Sequence, residues 1–335
     1  MSKHTKKRRV GRIIGRCAAV VGVVLLCVVI AFFGATAVVC FGPSDQARGL
    51  FVNTVMETSA AKFLAQMYLS DEQIAEIRKQ HAVIEVDMET DDTVLPPVQA
   101  DPETPSLVIE DVVGTTFKGK MMIVQDPGRL FVGTLPKYDG TAGFTLDDMV
   151  KKHSAVAGIN AGGFEDKKGL GNGGTPIGYI IHDGKLVFGS GGTTGTVAGF
   201  DAHGKLIVGN MSAARALEKG VTEGVTFGPV LVANGEPAPV AGSGGGLNPR
   251  TAIGQRKDGA VLLLVIDGRQ SHSIGATYKD CRDVMLDYGA VNAANLDGGS
   301  STLMIHDGKH VNFCAGLYGS RLLPSAFLVS EEAAE

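Results

Sequence analysis

The 335-residue sequence contains no tryptophan, and aromatic residues make up only 6% of it. This argues against a carbohydrate-binding module, because such modules commonly stack sugars on large aromatic side chains. Cysteine is also scarce: of five in all, Cys17, Cys27 and Cys40 lie in or beside one apolar segment. Cys281 and Cys314 remain, too few for a disulfide framework, and whether they pair stays open. No zinc-ligand spacing, P-loop or serine-hydrolase motif occurs.

Acidic residues are absent from the first 44 residues, which hold seven lysines and arginines. Because the whole chain has 31 basic and 35 acidic residues, the remainder has 24 basic and 35 acidic ones, a formal charge of −11. The net charge of −4 therefore averages a basic tail and an acidic body. An acidic body argues against nucleic acid as a partner.

Charge of either sign is absent from residues 17–41, a run rich in Val, Leu, Ile, Ala and Phe. It exceeds the ~20 residues that a membrane-spanning helix needs. The basic residues before it predict a cytoplasmic N-terminus and an extracellular body. Ala35-Thr36-Ala37 is a pattern that signal peptidase accepts, so a cleaved signal peptide is the alternative. The run is long for a signal peptide and continues beyond that pattern, which favours a single-pass signal anchor in the cell membrane.

Composition divides the chain into five parts. These are a basic cytoplasmic tail (1–16), a transmembrane signal anchor (17–41), a membrane-proximal helical stalk (42–86), an acidic, proline-containing linker (87–105) and the functional domain (106–335). The linker holds six acids, four prolines and no Lys or Arg, and is predicted to be extended and solvated.

The stalk is predicted to contain two helices. The first ends near Leu69, and the second, Asp71–Gln80, begins at a capping box formed by Ser70 and Gln73. No chemistry is visible in this part of the sequence.

Glycine dominates the body: 34 of the 46 glycines lie in residues 158–319. Such a stretch cannot be mainly helical, because each interior glycine costs a helix about 1 kcal/mol. Asp-Gly pairs between apolar runs predict tight hairpins, and three nearby histidines are interpreted as turn residues rather than metal ligands: His182, His203 and His306.

Helices are predicted at Thr145–His153, Ser212–Lys219 and Tyr278–Tyr288. The sequence therefore predicts an α+β fold with mixed, largely antiparallel sheets and a few covering helices, preceded by one N-terminal transmembrane helix.

Four segments, each an apolar strand or a glycine loop, end in polar residues. A polar group buried at such an end destabilises the fold by several kcal/mol unless it has a hydrogen-bonding partner. If these ends converge, their natural partner is a polar ligand. They begin at Asn160, Asn248, Asp267 and Asp297.

The most informative end is Asp297-Gly-Gly-Ser-Ser-Thr302. Its glycines allow backbone N–H groups to approach an anion, its hydroxyls add donors, and its carboxylate could act as acid, base or nucleophile. A simple Asp-Gly turn with Ser and Thr caps is the alternative. Arg250, Arg269 and Arg321 are candidate clamps for phosphate or carboxylate, although each could equally form a surface salt bridge.

Taken in order, the motifs of residues 155–329 resemble the phosphodiester glycosidase family, including bacterial members associated with exopolysaccharide biosynthesis. The matching segments are 160–164, 174–178, 227–231 with 234–235, 248–254, 265–269, 295–302 and Arg321. One departure concerns the Asp297 segment, which has two glycines before Ser300 where many relatives carry three.

The resemblance implies cleavage of the bond between a sugar's anomeric carbon and a phosphate, for example in a GlcNAc-1-phosphodiester of a cell-surface or extracellular polysaccharide. It implies catalytic roles for Asp297 and, as the available second acid, Asp267. Substrate-binding roles follow for Asn160, Gly163, Arg250, Arg269, Gly298, Gly299, Ser300, Ser301, Thr302 and Arg321.

Two other functions stay open. A transferase or assembly factor in exopolysaccharide biosynthesis would use the same site with an acceptor other than water. A non-catalytic glycan-binding module is the second. No cofactor is required by the sequence and no metal ligand is assigned, although a divalent cation between Asp267 and Asp297 is compatible with it. Expected partners are the sugar-phosphate or polysaccharide substrate and, through residues 17–41, the membrane.

Overall fold

A computed structural model describes residues 3–58, 61–84, 88–91, 105–166, 171–316 and 319–331. Within these ranges the chain forms seven α-helices and seventeen strands. The helices are α1 (Lys3–Phe41), α2 (Asp45–Met56), α3 (Phe63–Gln66), α4 (Asp71–Gln80), α5 (Leu146–Lys152), α6 (Ala213–Glu218) and α7 (Tyr278–Asp287).

The strands begin beyond the helical N-terminal region. They are β1 (Leu107–Val113), β2 (Lys118–Val124), β3 (Leu130–Thr134), β4 (Ala157–Asn160), β5 (Ile180–His182), β6 (Lys185–Phe188), β7 (Thr194–Asp201), β8 (Leu206–Ser212), β9 (Val221–Phe227), β10 (Val230–Ala233), β11 (Glu236–Pro237), β12 (Arg250–Arg256), β13 (Val261–Ile266), β14 (Ala290–Leu296), β15 (Met304–His306), β16 (Lys309–His310) and β17 (Ser325–Val329).

The first helix contains the apolar run that the sequence singles out. Its stretch Ile13–Phe41 is long and apolar enough to cross a membrane, by length and composition. Its C-terminal end packs against the three short helices that follow, where Cys40 joins a small apolar core with Val52, Val55 and Leu69. We call α2, α3 and α4 together the helical bundle.

The helical bundle confirms one expectation and corrects another. Ser70 and Gln73 form the predicted reciprocal capping box, and α4 has the predicted bounds. The expectation of one helix reaching Leu69 is wrong, because α2 ends at Met56 and only the four-residue α3 follows before Leu69. The chain turns at Glu57, whose side chain accepts hydrogen bonds from Asn248 and Arg250, far along the chain.

Three antiparallel sheets form the body. The first has the order β1-β2-β13-β12-β14-β10-β11, the second β16-β15-β4-β17-β3 and the third β6-β5-β9-β7-β8. The main core lies between them and includes side chains from all three, among them Met122, Phe200, Leu263 and Phe327. Helix α7 covers the other face of the first sheet with Cys281 and Met285. The predicted α+β class with antiparallel sheets is confirmed.

Local signals place the covering helices and turns. Thr145, Ser212 and Thr277 cap α5, α6 and α7, so the three predicted helices are confirmed. The turns Asp183-Gly184 and Asp307-Gly308 have positive φ at both residues, as a tight hairpin requires. Most of the predicted linker 87–105 lies outside the described residues. Cys281 and Cys314 are both free thiols.

A candidate active site where two sheets meet

The four polar ends of these strands and loops converge. The end of β14 meets the end of β4, since the Asp297 N–H donates to the Ala161 carbonyl at 2.9 Å. The Gly299 N–H donates to the Pro249 carbonyl at 2.9 Å, which brings in the start of β12. Arg250 on β12 pairs with Ile266 on β13, immediately before Asp267. The site therefore lies where the first and second sheets meet.

The carboxyl group of Asp297 lies half-buried at the head of residues 297–302, which we call the Asp297 loop. Burial raises its pKa to about 6. Hydrogen bonds from the Ser301 side chain and the Gly298 N–H, and the charge of Arg321, act in the opposite direction, while the charge of Asp166 raises the pKa further. A carboxyl group with a pKa near 6 can exchange a proton near neutral pH, as general acid–base catalysis requires.

Arg321 bridges the Asp297 loop and the loop that follows β4. Its Nη1 donates to Asp166 Oδ2 at 3.1 Å and to Ser300 Oγ at 3.3 Å, and its guanidinium lies over the Phe164 ring at 4.9 Å. Although burial acts to raise it, the pKa of Asp166 is lowered by hydrogen bonds from Arg321 and the Gly171 N–H. The site thus holds a guanidinium between two carboxylates of different proton affinity.

Asn160 lies fully buried beneath the Asp297 loop. Its Nδ2 donates to the Asp297 carbonyl at 2.5 Å, and its Oδ1 accepts from Thr251 Oγ1 at 2.8 Å and from the Leu303 N–H at 3.1 Å. Because these bonds join β4, β12 and both ends of the loop, the side chain of Asn160 fixes the position of Asp297.

Replacing Asn160 with Ala should lower the free energy of unfolding by about 3 kcal/mol, because the Leu303 N–H and the Thr251 hydroxyl lose a buried partner. Asn210→Ala is the matched control, since Asn210 is exposed on β8. We expect that control to change stability by less than about 0.5 kcal/mol. Urea unfolding of both variants measures the difference, and equal stabilities would contradict the assigned role.

Asp267 is 5% exposed, and each oxygen of its carboxylate has a polar neighbour within 3.1 Å. Its Oδ1 accepts from Asn312 Nδ2 at 3.0 Å and from the Phe313 N–H at 3.1 Å, and its Oδ2 lies 3.1 Å from His272 Nε2. The ring of His272 in turn packs against Phe313, with centroids 4.9 Å apart. Asp267 therefore holds the 312–313 segment beside the site.

The remaining predicted residues differ in how they meet the site. Gly163, Ser301 and Thr302 are buried, and a Cβ on Gly163 would lie 2.6 Å from the Phe227 ring. Gly298, Gly299 and Ser300 are half-buried in the Asp297 loop. A Cβ on Gly298 would lie 2.8 Å from the Pro249 carbonyl, so this position requires glycine.

The other two predicted arginines are Arg250 on β12 and Arg269, which follows β13. Arg250 is buried and stacks 3.8 Å from the centre of the Tyr278 ring. The Arg269 guanidinium would lie within 3.5 Å of a Cβ on Gly299. Burial and the charge of Arg250 lower the pKa of Arg269. Arg269 and Arg321 therefore both flank the Asp297 loop, whereas the Arg250 guanidinium packs against Tyr278.

Sequence reasoning missed Glu57, whose carboxylate bonds to Arg250 Nη2 at 2.7 Å. No motif surrounds Glu57 in the sequence, and its partner is 193 residues away. Sequence reasoning also missed Asp166, whose partner Arg321 is 155 residues away in the sequence.

Among the described residues, one group of three potential metal ligands brings its ligand atoms within 4.8 Å of one another: His182, Asp183 and Glu223. The Glu223 carboxylate already accepts from the Val132 N–H at 2.7 Å and the Asp183 N–H at 3.0 Å, and lies 3.0 Å from His182 Nδ1. These bonds tie the β5–β6 turn to β9 and β3. The group does not include Asp267 or Asp297.

Comparison with known proteins points to one family. Residues 153–330, just over half of the chain, match the family model of the phosphodiester glycosidases. The chain is 33% identical over 197 residues to the SPbeta prophage-derived uncharacterized protein YomE of Bacillus subtilis, covering 56% of this chain and 29% of that protein. It is 24% identical over 225 residues to mouse N-acetylglucosamine-1-phosphodiester alpha-N-acetylglucosaminidase, covering 60% of this chain and 42% of the enzyme.

A solved structure has a similar fold. The catalytic domain of the zebrafish N-acetylglucosamine-1-phosphodiester alpha-N-acetylglucosaminidase, auto-inhibited by its pro-peptide, superposes with a TM-score of 0.57 at 22% identity. The match covers 71% of this chain and 87% of that structure. The aligned part spans less than half the length of each of these two curated relatives.

Proposed function

Because the chain belongs to the phosphodiester glycosidase family, we propose that it cleaves the glycosidic bond of sugar-1-phosphodiesters at the Asp297 loop. The observation that carries the proposal is the half-buried Asp297 carboxyl, with a pKa of about 6, between a guanidinium and a glycine-containing turn. An ionisable carboxyl beside fixed positive charge suits a reaction in which a phosphate leaves a sugar carbon.

The leaving group, a phosphate monoester, determines which catalytic groups the site needs. A phosphate monoester is a weak base, so its departure needs neutralisation of negative charge more than a strong acid. Arg321 and Arg269 flank the Asp297 loop and would hold the phosphate, while backbone N–H groups of the glycines approach it. Asp297 would then act on the anomeric carbon or on an attacking water.

A second carboxylate completes most glycosidase sites. The geometry favours Asp166 over Asp267 for this role. The charge of Asp166 raises the pKa of Asp297, whereas Asp267 is not among the charges that act on that pKa and its carboxylate bonds to Asn312 and the Phe313 N–H. Asp267 would then position the wall of the site, and Asn160 would position Asp297.

We further propose that the enzyme is anchored in the cell membrane by α1 with its body outside the cell, where it acts on phosphate-containing surface or extracellular polysaccharide. The basic residues before the apolar stretch Ile13–Phe41 support this orientation. N-acetylglucosamine is the first sugar to try, since the mouse relative's name specifies it.

The proposal is tested with the full-length chain in detergent, incubated with a GlcNAc-1-phosphodiester and with a panel of UDP-sugars. We expect release of free sugar together with the phosphate monoester. Addition of a phosphorylated glycan acceptor separates hydrolysis from transfer, because a transferase would form a new diester in place of free sugar. Absence of both products with a folded protein would contradict the proposal and favour a binding function.

A further inference from the structure

The carboxylate of Glu57 lies in a position built to hold an anion. It accepts hydrogen bonds from the Gly246 N–H at 3.2 Å, from Asn248 Nδ2 at 2.7 Å and from Arg250 Nη2 at 2.7 Å. A backbone N–H, a side-chain amide and a guanidinium are the donors that proteins commonly direct at phosphate oxygens. We call these three groups the Glu57 seat.

The Glu57 seat is continuous with the Asp297 loop through Arg269. Arg269 Nη2 donates to Asn248 Oδ1 at 2.9 Å, and the same guanidinium lies against Gly299. Arg250 and Arg269 bring two positive charges, and among the described residues Glu57 is the one carboxylate in ion-pair contact with either. The seat therefore retains an excess positive charge even with Glu57 in place.

The residues of the seat and Glu57 come from different parts of the chain. Gly246, Asn248 and Arg250 belong to the segment that the family model matches, whereas Glu57 lies outside it at the C-terminal end of α2. Helix α2 packs directly over the Glu57 seat. The Leu247 N–H donates to Thr54 Oγ1 at 2.9 Å, and a Cβ on Gly246 would lie 2.3 Å from the Thr54 nitrogen.

Covered in this way, the seat is closed to solvent. Asn248 is 2% exposed and Arg250 is 4% exposed. A phosphate from solution therefore reaches Arg250 only if the Glu57 end of α2 moves away. Buried guanidinium groups are costly without a counter-ion, so a second anion has to replace Glu57 when it leaves.

We propose that Glu57 is an internal competitor: its carboxylate occupies a phosphate-binding position of the active site, and α2 inhibits the enzyme until substrate phosphate displaces it. The identity of the competing anion rests on the proposed function, whereas the competition itself rests on the Glu57 contacts. In the active state, Asn248, Arg250 and Arg269 bind the substrate and Glu57 faces solvent.

The test measures phosphate binding without turnover. Isothermal titration calorimetry of inorganic phosphate is compared for the full-length wild type, Glu57→Gln and Glu57→Ala. We expect at least tenfold tighter binding in Glu57→Ala, and a smaller gain in Glu57→Gln because its single amide oxygen can still accept the hydrogen bonds from Asn248 and Arg250. Glu76→Gln, an exposed change on α4 of the same bundle, should match the wild type. Wild-type affinity in Glu57→Ala would overturn the proposal.

A second measurement distinguishes a folding defect from the loss of an anion-binding site. Removing Glu57 leaves Arg250 without its counter-ion, so we expect a lower Tm for Glu57→Ala that phosphate restores and equimolar chloride does not. Adding Arg250→Met to Glu57→Ala should abolish this restoration. A Tm that phosphate fails to raise would contradict the presence of an anion site behind Glu57.

Kinetics separate the two proposals. With an active substrate, Glu57→Gln should lower KM several-fold at unchanged kcat. If Glu57→Ala binds phosphate tightly and no sugar-1-phosphodiester is cleaved, the proposed function fails and the competition stands. If the wild type cleaves substrate and neither KM nor phosphate affinity responds to Glu57, the competition alone fails.

Discussion

Asp297→Asn should lower kcat/KM for a sugar-1-phosphodiester by at least ~10³-fold while making the protein more stable at neutral pH. Activity falls because an amide can neither exchange a proton nor act as a nucleophile. Stability rises because the wild-type protein must keep an ionised carboxylate in a half-buried position at neutral pH. The raised pKa of Asp297, about 6, shows that ionisation is unfavourable there. A single substitution thus moves activity and stability in opposite directions.

The sign of the stability effect follows from linkage. The pKa of Asp297 is about 6 in the folded chain and close to its ordinary value when unfolded, so the folded state binds more protons between about pH 4 and pH 6. Wild-type stability therefore falls as pH rises through this window and stays lower above it. At pH 7.5 the variant should gain about 1–3 kcal/mol, and near pH 4 the gain should vanish.

Urea unfolding of both proteins at the two pH values provides the measurement. Asp307→Asn is a matched control, since Asp307 is exposed in the β15–β16 turn at a positive φ that Asn also tolerates. We expect that control to keep full activity. A stable Asp297→Asn variant with wild-type activity would remove Asp297 from catalysis.

Replacing Arg321 with Met should lower kcat/KM by about 10²–10³-fold, because a positive charge beside the leaving phosphate is lost. It should also move the acid limb of the pH profile to higher pH, since Arg321 lowers the pKa of Asp297. Asp166→Asn should move the same limb to lower pH, since Asp166 raises that pKa. The opposite directions distinguish local electrostatics from general damage to the site.

The measurement is kcat/KM between pH 4.5 and pH 8.5 for the wild type and the two variants. Arg321→Lys keeps the charge and loses the planar pair of donors, so its profile should stay near the wild type while its rate falls. Arg215→Met, on the exposed surface of α6, is the control for loss of an arginine. Identical limbs in Arg321→Met and Asp166→Asn would contradict the assignment of the limb to Asp297.

Local sequence signals predicted much of the fold. Each of these signals acts over only a few residues, so the sequence alone is enough to predict the helix start or turn that it specifies. Examples are the capping pair Ser70 and Gln73, the N-cap Thr145 and the Asp-Gly hairpins. The same reasoning extended the first helix of the bundle too far. No local stop signal marks Glu57, yet it is the C-cap of α2 and its side chain bonds to the distant Arg250.

The candidate site was predictable as a set of residues and less so as a set of contacts. Polar ends of buried strands have to find partners, so the sequence identified which ends would form a site if they converged. Whether a carboxylate in such a cluster is exposed or engaged depends on distant segments. Asp267 bonds to residues 312–313, and Asp166 meets Arg321, contacts that spacing along the chain does not reveal.

The short connection between α1 and α2 limits how far the helical bundle can lie from the end of α1. Three residues, Gly42, Pro43 and Ser44, separate the two helices, so the connection spans at most about 10 Å. It is also braced: Arg48 Nη2 donates to the Gly42 carbonyl at 2.8 Å, and the Gly42 N–H donates to the Val38 carbonyl at 2.7 Å.

With α1 in a bilayer, such a braced connection fixes the height and tilt of the bundle above the lipid, unlike a long flexible tether. Under the proposed function, polymers would then be cut only within a thin layer next to the membrane. Material released into the medium would escape the enzyme, however well its chemistry fitted the site.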